Sequence, residues 1–98
     1  MMKKKIFISQ PMSGKTDEEI INVRNKAVED LENIFGEFEL LSVYFKDSDK
    51  KPLYLLGEAL KVLSTADIVY FCNEWQNSNG CRVEHLAAEL YNICIVES

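Results

Sequence analysis

DIVYFCNEWQNSNGCRVEHLAAELY, residues 67–91, decides the fold class. It opens with an apolar run of strand length, crosses a polar loop rich in turn residues, and continues from Gly80 as an amphipathic helix. Strand, loop, helix is the βα unit of a parallel sheet. It puts the loop and Glu84, expected in or near the helix's first turn, at the carboxyl end of a strand, where open α/β sheets hold ligands. An acid in a first turn is stabilised by the helix dipole and is expected to stay ionised.

The same alternation extends in both directions. Upstream, KIFIS (residues 5–9) is a short apolar run without strict alternation, the mark of a strand buried on both faces. QPMSGK follows, and Thr16 with Glu19 forms a capping box that starts a helix at Asp17. Ile20, Val23, Ala27, Leu31 and Ile34 recur at helical spacing, Val28 and Phe35 widen the stripe, and Gly36 is placed to end the helix. FELLSVYF (residues 38–45) reads as the second strand, followed by a polar and mobile loop, KDSDKK. Pro52 then begins a helix to about Ser64 with a Leu53, Leu56, Leu60, Leu63 stripe, and ICIV (residues 93–96) closes the chain as a fourth strand. The expected architecture is α/β: one domain over residues 1–98, a flavodoxin-like or Rossmann-like parallel sheet of about four strands in three layers with three helices.

Composition agrees with a small compact domain: 98 residues, 47% hydrophobic. A net charge of -5 without a basic cluster beyond Lys3 to Lys5 argues against nucleic-acid binding. No apolar run approaches the ~20 residues of a membrane span, and MMKKK leads into IFIS without a secretory core, so a cytoplasmic location with no membrane partner is expected. Cys72, Cys81 and Cys94 form no CxxC pair; Cys72 and Cys94 read as core residues. Cys81 and His85, four apart, supply only two of the four ligands that a closed zinc site needs, so neither metal nor cofactor is expected.

Because βα loops of a parallel sheet leave on one side, QPMSGK and NEWQNSNG should line a common edge. Ser13, Gly14 and Lys15 beside a capped helix start suit a phosphate or sugar hydroxyl, although an ordinary turn would use the same residues. SGKT lacks the first glycine of a P-loop, since position 9 is serine. Trp75 beside Asn77, Ser78 and Asn79 suits a flat heterocycle; alternatively it caps the core next to a turn.

KIFISQPMSGK, STADIVYF and NEWQNSNGCRVEHLAAELY together resemble the nucleoside 2-deoxyribosyltransferase family and its small, phage-associated relatives, in matching order over most of the chain. The resemblance implies cleavage or transfer at the N-glycosidic bond of a 2′-deoxynucleoside or its 5′-monophosphate. Glu84 would then be the nucleophile, Ser78 the sugar-contacting polar position, and Gly80 the glycine that admits substrate, while the segment holding Gln10, Ser13, Gly14 and Lys15 lines the pocket. Glu58 is the expected partner acid, and Asp67, at the start of its strand, belongs to the opposite edge, capping a turn. Phe7 stands where the family often carries tyrosine. Ser78 stands where the transferases carry aspartate, as in the deoxynucleotide N-glycosidase branch. A homodimer or higher homo-oligomer is expected to cover the exposed edges. The competing expectations are a non-catalytic nucleotide-binding or sensing module on the same fold, and a purely structural interaction domain.

Overall fold

The structure, a computed structural model, describes residues 3–41 and 49–98. Among the described residues, four strands, β1 (Lys4–Ser9), β2 (Phe38–Leu41), β3 (Ile68–Phe71) and β4 (Cys94–Glu97), form one sheet in the order β2-β1-β3-β4, parallel throughout. Three helices, α1 (Asp17–Phe35), α2 (Pro52–Leu63) and α3 (Asn79–Leu90), cover it. This is the flavodoxin-like strand order, shortened by one strand, and its direction reverses between β1 and β3.

Burial on both faces explains the continuous apolar strands. Ile6, Ile8, Ile68 and Tyr70 pack with Ala27 and Leu31 of α1 on one face. Phe7, Val69 and Phe71 point the other way, onto Ala59 and Leu63 of α2 and Ala88 of α3. The period of two in each strand thus divides the core between α1 and the α2–α3 pair.

α1 begins as expected. The Thr16 hydroxyl accepts from the Glu19 amide at 3.1 Å, and the Thr16 amide donates to Glu19 Oε1 at 3.0 Å. It ends at Gly36, whose φ of 73° is open to glycine and whose amide donates to the Glu32 carbonyl at 2.8 Å. Its buried face is narrower than the sequence pattern: Ile20, Ala27 and Leu31 are buried and Val28 and Phe35 flank them, whereas Val23 and Ile34 are exposed. Val23 and Ile34 lie on the flank away from Val28 and Phe35, beyond the strip that meets the sheet.

In α2 the buried face centres on Ala59 and Leu63, and Leu53, 78% exposed, falls about a third of a turn away from it. The second strand is described as Phe38–Leu41; residues 42–48, including the rest of FELLSVYF and the start of the polar loop, lie outside the described residues. Cys72 is buried as expected, but Cys94 is exposed, because it opens the short edge strand β4. Asp67 does sit at the amino edge of the sheet. Instead of capping a turn, its Oδ2 accepts from the Lys5 amide at 2.8 Å and its own amide donates to the Lys5 carbonyl, tying β1 to the start of β3. No helix among the described residues is long and apolar enough to cross a membrane.

Candidate active site

A cleft of about 490 Å³ opens at the carboxyl ends of the strands, where the strand order reverses. The segment after β1 supplies one wall, through Gln10, Met12, Ser13, Lys15 and Asp17. Ser78, Gly80, Cys81 and Glu84 supply another from the start of α3. α2 closes the cleft with apolar groups only: Pro52, Leu55, Leu56 and Ala59. The two loops predicted to share an edge therefore do so, and Lys15 Nζ lies 3.6 Å from Glu74 Oε2 across them.

Glu84 is the centre of this arrangement. It occupies the second turn of α3, not the first, and shares the inward face with Cys81 and Ala88. Only 7% of it is exposed, and Ser9 Oγ, at the carboxyl end of β1, donates to Glu84 Oε1 at 2.6 Å. Burial pushes its carboxyl up to about 7, partly opposed by the Ser9 hydrogen bond. The expectation of a fully ionised, dipole-stabilised acid is thus corrected: too deep along α3 for its N-terminal dipole, Glu84 is governed by desolvation and balanced between its two forms near neutrality. The neighbouring Cys81 thiol is raised mainly by burial, so it is not a thiolate nucleophile at neutral pH.

Ser78 caps α3, its hydroxyl accepting from the Cys81 amide at 3.3 Å, and presents its remaining surface to the cleft. A side chain at Gly80 would meet Ser78 Oγ at 3.9 Å and Leu56 Cδ1 at 4.0 Å, ordinary contacts, so protein packing does not demand glycine there. Gln10 is buried; its Nε2 donates to the Ile20 carbonyl at 3.1 Å, and its Oε1 has no partner among the described residues. Ser13 and Lys15 line the cleft, but Gly14 does not. Its φ of 76° shapes the turn that the Lys15 amide closes on the Met12 carbonyl at 3.1 Å.

Two expected residues stand elsewhere. Trp75 is not part of the cleft wall: its ring stacks on His85 at 4.0 Å with 5° between planes, packs beside Phe71, and donates from Nε1 to Glu97 Oε1 at 2.8 Å. The apolar ring is drawn to the core margin, the alternative that its turn context allowed. Glu58 pairs with Lys61 at 3.1 Å on the outer side of α2, while its neighbour Ala59 takes the inward position.

Ser9 and Asp17 were not anticipated as site residues. Ser9 carried a readable signal, being the polar end of an otherwise apolar buried strand on the ligand edge. Asp17 read only as the first residue of a helix.

Comparisons with curated proteins and with solved structures gave no match. The model of the family described as a domain of unknown function, DUF4406, matches residues 4–97, nearly the whole chain, and the protein therefore belongs to that family.

Proposed function

We propose that the protein cleaves or transfers at the N-glycosidic bond of a 2′-deoxynucleoside or its 5′-monophosphate, with Glu84 as nucleophile. The observation that carries this reading is a buried carboxyl, anchored by a serine, on the wall of a cleft whose volume falls in the range of small-molecule sites. The resemblance to nucleoside 2-deoxyribosyltransferases supports it, as does the meeting of the QPMSGK segment with Ser78, Gly80 and Glu84 around one cavity.

In the first step a Glu84 oxygen bonds to the anomeric carbon while the carbon–nitrogen bond breaks, its electron pair leaving on the base nitrogen, which takes up a proton. Water or a second base then attacks the same carbon, giving up its proton to the Asp17 carboxylate, and the electron pair of the ester bond returns to Glu84. Two inversions give net retention. Apolar α2 walls exclude water from the ester, and Ser13, Lys15 and Ser78 hold the sugar or its phosphate. Glu58 has no part in this reading; among the described residues Asp17 is the second carboxyl on the cleft wall and the candidate for exchanging a proton with the base.

Incubating the pure protein with deoxynucleosides and their 5′-monophosphates, and following free base by chromatography, tests the proposal. Absence of release from every substrate, or undiminished release by Glu84→Gln, rejects it. The exposed row Val83, Leu86 and Leu90 on α3 supports a homo-oligomer, which a light-scattering mass measurement checks.

A further inference from the structure

We infer that Ser9 is the positioning residue for Glu84: its hydroxyl, by holding Oε1, dedicates Oε2 to the substrate through both halves of the reaction. This rests on the function proposed above and adds to it a residue that fixes the nucleophile's geometry.

Ser9 suits the task because its own freedom is small. It is 1% exposed, at the end of the central strand β1, in register with Phe71 of β3, and its carbonyl accepts from the Cys72 amide at 3.0 Å. A hydroxyl so placed has no bulk water to turn to, and a buried donor must be satisfied. Glu84 reaches it from α3 with three rotatable torsions, which a 2.6 Å bond to one oxygen restricts.

The same bond has a use at each stage. Before attack it holds Oε1 and opposes the cost of burying the charge. In the glycosyl ester Oε2 carries the sugar and Oε1 becomes the carbonyl oxygen, still facing the Ser9 O–H. When the ester breaks, the electron pair returns to the carboxylate and the same donor stabilises the departing charge.

Among the described residues, no other group near Glu84 duplicates this. α2 brings only apolar side chains to the cleft; Lys15 and Asp17 stand on the opposite wall; Cys81, one turn earlier on α3, meets the Ser9 hydroxyl as a second, weaker partner; and Gln10 Nε2 donates to the Ile20 carbonyl. Among the described residues, burial acts first on the Glu84 carboxyl and the Ser9 bond opposes it.

The test compares the wild-type protein with Ser9→Ala and Ser9→Thr. The Glu84 carboxyl is titrated directly by carbon NMR, and base release is measured against pH. In Ser9→Ala the titration should move up by roughly one to two units, as expected for a lost hydrogen bond to a charged group. The pH profile of kcat should move with it, and Ser9→Thr, which keeps the hydroxyl, should restore both. An unchanged Glu84 titration in Ser9→Ala overturns the inference. Should Ser9→Ala fail to fold, Ser9→Cys, a weaker donor of similar size, must show an upward shift, and none overturns it equally. A shifted titration without base release by any of the proteins upholds the anchoring of Glu84 but overturns its part in turnover, and with it the glycosidic function.

Discussion

Replacing Glu84 by glutamine should stabilise the fold while abolishing base release, and the gain should depend on pH. The carboxyl's ordinary value is 4.5 and the folded chain raises it to about 7. Between those values the folded state holds a proton that the unfolded state has lost, so stability falls as pH rises through this window and levels off above the folded value. A separation of about two and a half units, at ~1.4 kcal/mol each, makes the loss about 3 kcal/mol, an order-of-magnitude figure for a largely buried group. Glutamine never ionises and still accepts from Ser9. Denaturant unfolding of the two proteins at pH 4.5 and pH 8.5 checks this, because taking their difference cancels every other titrating group. The variant should gain about 3 kcal/mol on wild type between the lower and the higher pH. An advantage of the same size at both values would refute the account of Glu84 as a buried, proton-holding carboxyl.

Two further outcomes follow from packing and from the cleft. Leu31→Ala, at a fully buried position on the inward face of α1, should lower stability by about 2–5 kcal/mol in the same unfolding assay, with native secondary structure retained by circular dichroism. Gly80→Leu should occupy the space between Ser78 and Leu56, raising KM at least tenfold in the base-release assay while the melting temperature changes little.

The fold was legible because its signals are local. A capping box, apolar strands and Gly36 need only neighbouring residues to be read, and the order of elements then dictates a parallel sheet. The common edge of the two loops followed from topology alone. Side-chain direction was less accessible. Trp75 beside short polar residues is compatible with either a ligand platform or a core cap, and the choice depends on His85, Phe71 and Glu97, which only the folded chain assembles around it. Glu58 sits on α2, which lines the cleft, but one residue out of phase with it, a rotation that the leucine pattern alone does not resolve. The position of Glu84 at the carboxyl edge of the sheet is legible in the order of elements, but its burial is less so. The clue was present in Cys81 and Ala88, which flank it at helical spacing and put an acid on an apolar face. Ser9 was invisible as a partner because the residue it serves is far away in sequence.

That separation bears on how the protein comes into being. Ser9 and Glu84 stand 75 positions apart, one in the first strand and the other in the last helix. β1 is also the strand that β2 and β3 must both find, so no N-terminal fragment ending before α3 can contain the site, and contacts this distant cost loop-closure entropy before they repay it. During synthesis, the Ser9–Glu84 pair, and with it the activity proposed for the cleft, can form only once α3 has emerged and docked. On the proposed function, base release would therefore report the docking of α3 against β1, an event of the folded chain rather than of any helix by itself.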